Sequence, residues 1–530
     1  MFQTGAVSRL ARRNPLAACV AAVFALTAPL ARAAPAVTNC NDSGVGSLRE
    51  AVNGAVNNDT VDLTGLTTAS PGCTNSTITL TTGSIFVGVT NLTISRAGKT
   101  ALFITGKSNG SNGMFYHFGT GTLAFDTVVM KYGYDKNTSV GGAAKGGCVY
   151  SKGSVSINKS TLKYCTTAAD SGSAEGGAIF AKGGVTLTNS YVEDSGARST
   201  SGIAKGGCIY GRGKVTLTNS HATVCKAQTT TGVAKGGAIY AVQDLGLYSS
   251  VVSNNRADGG TSGNPSAGAA VVSGNLVMLY SSVSGNGAYG AAGNSNGLAG
   301  GIYATGASTH IVSSTIAGNV AGHNIGGIAI GGSSASSTDA TIKSSTISGN
   351  KATSGFIGGV YSRVPKMYLY NSTIALNNAG QGGPTEASGL ALYGPPGATA
   401  KLNSTLVANN TYGPASASND LFAAGVTVSG SNNLVRTSIA SLPNGTLRNV
   451  CPLLGPLRAN GGPTQTHALL GHSPALDSGN NLLALSFDQR GSPFARVSGP
   501  PGAMTPLPDI GAYEVNRSDV IFDVNFEGCP

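Results

Sequence analysis

Six cations and four aromatic rings recur at fixed spacing within one stretch of this 530-residue chain, and their types suit ligand binding. Lys145, Lys205 and Lys235 share one repeated position, interrupted by Glu175. Lys152, Lys182 and Arg212 share a second, seven residues on, and Tyr150, Phe180, Tyr210 and Tyr240 fall between the two. Aromatic faces beside cations suit an anionic polysaccharide, because rings stack on apolar sugar faces while Lys or Arg meets carboxylate or sulfate. The rival reading is structural: charges solvate exposed turns, and an aromatic ladder stabilises a sheet by stacking. Nucleic acid fits less well, since no dense basic run or recognised binding motif is present.

Catalysis finds less support. A lyase or hydrolase needs two or three acids on adjacent repeats facing one cleft. Asp170 and Glu175 share a loop, while Glu193 and Asp194 are strand neighbours expected to face opposite ways. His117, His221, His310, His323, His467 and His472 fall at unrelated positions and are expected at the surface or in turns. The sequence therefore assigns no catalytic residue, no metal ligand and no cofactor.

These residues are positioned by a repeat of about thirty. Its first half reads Gly146-Gly147-Cys148-Val149-Tyr150 and returns at Gly176, Gly206 and Gly236. Its second half begins at Ser160, Ser190, Ser220, Ser250, Ser281, Ser314, Ser345, Ser372 and Ser404. Between lie short alternating runs such as Val185-Thr186-Leu187-Thr188, the period-2 pattern of a half-buried strand, bounded by turn-tolerant Gly, Asn, Ser and Asp. One such coil cannot bury its apolar side alone, whereas stacked coils can. Thirty residues is too short for a four-stranded propeller blade, and the leucine spacing of a leucine-rich repeat is absent. The pattern predicts an all-β chain, a right-handed parallel β-helix of roughly ten coils over residues 75–435. Asn255, Asn286, Asn319, Asn350, Asn377 and Asn409 should form an amide ladder, replaced in earlier coils by Cys165, Ser195 and Cys225.

The chain has 78 Gly, no Trp and 10% charged residues, a composition that favours strands and turns over helices. Residues 1–33 read as a secretory signal, with Arg9, Arg12 and Arg13 before the apolar run and a small-x-small site ending at Ala33. Removing its four arginines lowers the formal charge from +11 to +7. Export leaves eight cysteines in an oxidising compartment. Cys148–Cys165 and Cys208–Cys225 repeat one 17-residue spacing and are expected to pair within their coils, with Cys40–Cys73 and Cys451–Cys529 stapling the ends.

Two flanking segments carry a resemblance. Asn39-Cys40-Asn41-Asp42-Ser43-Gly44-Val45-Gly46-Ser47-Leu48-Arg49-Glu50-Ala51-Val52 resembles the C-S-L-R-E-A segment that opens many secreted bacterial β-helix proteins. Asn460-Gly461-Gly462-Pro463-Thr464-Gln465-Thr466-His467-Ala468-Leu469-Leu470, Ser473-Pro474-Ala475-Leu476-Asp477-Ser478-Gly479, Asp488-Gln489-Arg490-Gly491 and Asp509-Ile510-Gly511-Ala512-Tyr513-Glu514 are similar in succession to the C-terminal part of choice-of-anchor Q domain proteins. The resemblance implies an exported, right-handed β-helix at the cell surface or outside the cell, and carries no activity. Residues 34–74 and 436–530 read as N- and C-terminal caps. A helix over Leu48 to Val56, with Ser47 and Glu50 forming a capping box, would plug one opening, and Asn460 to Glu514 the other. Asp488, Arg490, Asp509 and Glu514 would form an internal salt-bridge cluster, with a calcium site as the alternative.

The expected function is surface adhesion or binding of an anionic polysaccharide or cell-surface glycan by a monomer, with no membrane span in the mature chain. The alternatives are a lyase or glycoside hydrolase on an acidic glycan, and a structural surface spacer.

Overall fold

Alternation of buried and outward residues runs through every coil of the computed structural model, which describes residues 36–106, 113–260, 266–290, 298–331, 339–381, 386–413, 417–498 and 506–516. The expected signal segment and Cys529 lie outside the described residues. In one coil the first face carries Ile179–Ala181 and Val185–Thr188, the second Tyr191–Glu193 and the third Gly196–Ser199. Each strand pairs in parallel with its equivalent one coil away: Val149 with Ile179, then Ile209, then Ile239. The inward residues of these strands, such as Val185, Leu187 and Val192, form one continuous core.

Among the described residues the second face has 13 strands, hence twelve turns, against the roughly ten expected. The extra turns lie upstream, where Thr77–Thr79 and Leu102–Thr105 already pair in register without the Gly-Gly phrase. Two corners per coil sit in the left-handed backbone region, as at Asn189 (φ 49°) and Asp194 (φ 47°). Gly176 (φ +61°) turns the third corner, where a Cβ would collide with the Ile179 carbonyl, which explains the invariant place of Gly in the phrase.

The repeated polar residues satisfy backbone groups between coils. Ser190 Oγ accepts the Ser160 N–H (3.1 Å) and donates to the Thr188 carbonyl (2.7 Å), a pattern that continues to Ser372. The ladders then depart from the expected positions. Thr373 pairs with Leu406, so Thr405 rather than Ser404 continues the serine row, and Asn377 bonds to Asn410 rather than Asn409. That coil holds one residue more than its serine spacing suggests. Asn409 instead turns a corner (φ 59°).

Three expected disulfides are formed: Cys40–Cys73, Cys148–Cys165 and Cys208–Cys225. At the N-terminus the helix is shorter than expected, Leu48–Asn53, with Leu48 and Val52 buried. Ser47 Oγ accepts the Glu50 N–H (3.2 Å), but the Glu50 carboxylate takes the Gly46 N–H rather than closing the box on Ser47. Arg49 holds the helix to the first coils through Asp42 (2.7 Å) and the Gly83 and Ser84 carbonyls. Burial would raise the Asp42 carboxyl, but hydrogen bonds from Thr82, Arg49 and Thr81 outweigh it and hold it down at about 2.

The C-terminal segment overturns its expected role as a plug. Ala440 and Leu442 cover the core at the last coils, and the chain then runs back along the second face as a strap. Gln489 Nε2 donates to Thr315 Oγ1 (3.0 Å) while its Oε1 accepts from Thr346. His467 Nε2 meets Ser348 Oγ (2.7 Å), and the Ala512 N–H donates to Thr373 Oγ1 (3.0 Å). The reason lies in the outward row of this face. It holds Tyr191, Glu193 and His221 in earlier coils but Thr315, Ala317, Thr346, Ser348, Thr373 and Ala375 later, all buried and small enough to accept a second layer.

Inside the strap the expected charge cluster is present, with Arg496 as an added member. Asp488 and Arg490 pair at 2.8 Å, both fully buried, and the Arg490 guanidinium lies 3.9 Å from the centroids of Phe494 and Tyr513. Burial, reinforced by nearby Asp509, pushes Glu514 up to about 8, with Arg496 opposing. A carboxyl raised in the folded state contributes most below about pH 4.5, and that contribution is lost as pH rises to about 8. Buried His467 acts oppositely, because its lowered value costs stability as pH falls through the ordinary histidine range. Glu514→Gln should therefore gain thermal stability relative to wild type across pH 4.5 to 8. A wild-type-to-variant difference that stays constant over that window would remove Glu514 as its source.

Candidate functional site

The ridge of Lys152, Lys182 and Arg212 follows directly from the register. Ser151, Ala181 and Gly211 pair across successive coils, so the residue after each turns the same corner. The Lys182 and Arg212 N–H groups donate to the Ser151 and Ala181 carbonyls (3.0 Å each), which locks one cation per coil at a spacing of ~4.8 Å. All three are exposed, and none has a carboxylate at ion-pair distance among the described residues. Arg212 lies close to Tyr210 at the inner edge of the ridge. On its other side, Ser156, Thr186 and Thr216, then Asn158, Thr188 and Thr218, present hydroxyl and amide rows in register.

The second basic row has a different environment. It lies on a short four-stranded sheet that includes Ala144–Lys145 and Ala174–Glu175. A layer of alanines (Ala144, Ala174, Ala204 and Ala234 against Ala169, Ala197, Ala227 and Ala257) packs this sheet on the third face. Glu175, largely buried, takes Lys205 at 3.3 Å and Lys145 at 3.9 Å, so two of these cations share one carboxylate that offsets half of their charge. Lys235 is half-buried at the end of the row.

Between the two rows the rings of Tyr150, Phe180, Tyr210 and Tyr240 stack at 5.3, 5.0 and 5.3 Å, within 10° of parallel. Their faces are occupied by one another, and Lys145 and Lys205 lie over them from the short sheet. Tyr150, Phe180 and Tyr210 are buried, so the ladder forms a wall of the molecule and offers its rim alone.

No family model, curated protein or solved structure matches the chain.

Several residues near the ridge were not singled out in the sequence. The aromatic ladder starts earlier, at Phe86 and Tyr116, which pair in register with each other and with Tyr150. Phe118 precedes Lys152 in the ridge row and lies under its ammonium at 5.2 Å. Phe86, in the aromatic row, is 54% exposed because the short sheet begins only at Ala144, and Phe118, in the ridge row, is 43% exposed. The signal was Phe115-Tyr116, an aromatic pair in the place of Val149-Tyr150 without its Gly-Gly. Two histidines expected at the surface are buried: His117 with Nδ1 2.8 Å from Ser151 Oγ, and His467 in the strap. Glu193 and Asp194 do not diverge, because Asp194 turns a corner and both carboxylates reach Lys163 (3.0 and 3.4 Å).

Proposed function

We propose that the protein is exported and binds an anionic polysaccharide laid along the ridge of Lys152, Lys182 and Arg212. The observation that carries this reading is the contrast between the two basic rows. One has two of its three cations tied to Glu175, whereas the ridge keeps three exposed cations, one per coil, without an acidic partner among the described residues. A polymer with regularly spaced carboxylates or sulfates would meet one cation per coil, and the adjoining Ser, Thr and Asn rows would hydrogen-bond its hydroxyls. Three disulfides support an oxidising, extracellular compartment, and no helix among the described residues is long and apolar enough to cross a membrane. The resemblance to choice-of-anchor Q proteins supports the same location.

A glycan array carrying anionic and neutral polymers tests the reading. Lys152→Ala, Lys182→Ala and Arg212→Ala together should weaken binding to anionic polymers by roughly ten- to a hundred-fold and flatten its salt dependence. Unchanged affinity would leave the ridge with a solvating role only. Release of unsaturated or hydrolysed products from polygalacturonate or alginate would replace binding by catalysis as the function.

A further inference from the structure

The third face carries a depression on its outer side, opposite the alanine layer, of about 370 Å³. That volume lies within the range of small-ligand sites. Lys136, Ala168, Arg198 and Gln228 form one row in strict register across four coils. A methyl group thus stands between two long cations, and the hollow is the missing side-chain volume of Ala168. Tyr134 borders it on the strand side, and Asp170 rises from the turn that leads to the short sheet. Lys136 and Arg198 are exposed, stand two coils or ~10 Å apart at the backbone, and have no carboxylate at ion-pair distance among the described residues. Both side chains are long enough to converge over the alanine.

The lining is selective in a way that a simple basic patch is not. Two guanidinium or ammonium groups attract one anionic group above Ala168. The Asp170 carboxylate repels a bare inorganic anion but accepts hydrogen bonds from hydroxyls, and the Gln228 amide both donates and accepts. The Ala168 methyl and the Tyr134 ring offer an apolar floor for one sugar face. We infer that this groove binds a single acidic sugar residue, a pyranose bearing a carboxylate, at a site separate from the ridge. The inference goes beyond the proposed polymer binding, since the ridge and the groove lie on different faces of the coil.

Titration of the full-length protein with sodium glucuronate, followed by NMR or calorimetry, tests it, with glucose and inorganic sulfate as comparison probes. Glucuronate should bind more tightly than either. Lys136→Ala with Arg198→Ala should weaken it by at least roughly ten-fold, and Ala168→Phe, which fills the hollow while leaving both charges, should weaken it similarly. The ridge triple variant should bind glucuronate as wild type does, so failure of the ridge and failure of the groove read out separately. Undiminished binding in both groove variants overturns the inference. So does sulfate binding as tightly as glucuronate, or loss of glucuronate binding in the ridge variant alone.

Discussion

Arg490→Ala should release the strap and lower its stability by about 3–5 kcal/mol, the usual cost of removing one partner from a buried ion pair. Arg490 and Asp488 are both fully buried, and the pair does more than neutralise charge. Asp488 also accepts the Glu514 N–H (2.9 Å) and the Arg490 N–H (2.8 Å), while Arg490 Nη2 donates to the Glu514 carbonyl. Truncation leaves a carboxylate without its counter-ion and opens a void between Phe494 and Tyr513. Over Thr315, Thr346, Ser348 and Thr373 the strap meets the coils through small polar residues, with apolar packing confined to the last coils, so it is the unit expected to open first. Hydrogen exchange should rise across residues 450–498 and 506–516 before the inner coils respond. Opening uncovers Leu406, Ala408 and Leu434, which pack against Leu469, Ala475 and Ile510, so self-association should follow. Arg490→Met with Asp488→Asn, which removes both charges and keeps volume, should recover much of the loss. A strap that stays protected in Arg490→Ala would show that the pair does not hold it.

The coil was legible because its signals are local and repeated. Val185-Thr186-Leu187-Thr188 shows its inward and outward residues directly, and Gly-Gly marks a corner where a side chain has no room. What stayed hidden was mostly the placement of one layer against another. Nothing in the thirty-residue phrase states that Thr346 and Ser348 are outward and covered, although their change from the Tyr191 and Glu193 of earlier coils is visible once the register is known. The aromatic row was read correctly as a ladder, but its burial depends on the short sheet, whose strands are two or three residues long and too brief to announce themselves. The same brevity disguised the difference between the basic rows: Glu175 looks like an interruption in sequence and serves as the shared partner of Lys145 and Lys205 in space. The groove was illegible for a related reason, since its defining feature is a small residue, Ala168, flanked two coils apart by cations that do not repeat.

The amide ladder makes the second large prediction, at Asn319. Its Oδ1 accepts both the Asn286 N–H (3.0 Å) and Asn286 Nδ2 (2.8 Å), and its Nδ2 donates to the Val283 carbonyl (3.0 Å) and Asn350 Oδ1 (2.9 Å). The residue is fully buried, so water cannot replace these partners. Asn319→Ala leaves the Asn286 N–H unsatisfied, and leaves Asn286 Nδ2, Asn350 Oδ1 and the Val283 carbonyl, which also accepts within the parallel sheet, with one bond fewer each. At about 1–3 kcal/mol for the orphaned N–H and about 1 kcal/mol for each of the three other bonds lost, the loss should reach roughly 4–6 kcal/mol, read as a lower thermal midpoint and as lost protection of the Asn286 amide. Serine should cost about half as much, and the chain itself shows why. Ser195 occupies the same row and its Oγ accepts the Cys165 N–H at 3.1 Å, the one bond of the set that a hydroxyl can reproduce. Early coils thus combine a short acceptor between coils with the Cys148–Cys165 and Cys208–Cys225 bonds within them, whereas later coils, where the row is continuous asparagine, rely on the amides alone. Equal losses for Asn319→Ser and Asn319→Ala would mean that the bonds to the Val283 carbonyl and Asn350, rather than the accepted N–H, set the stability of this row.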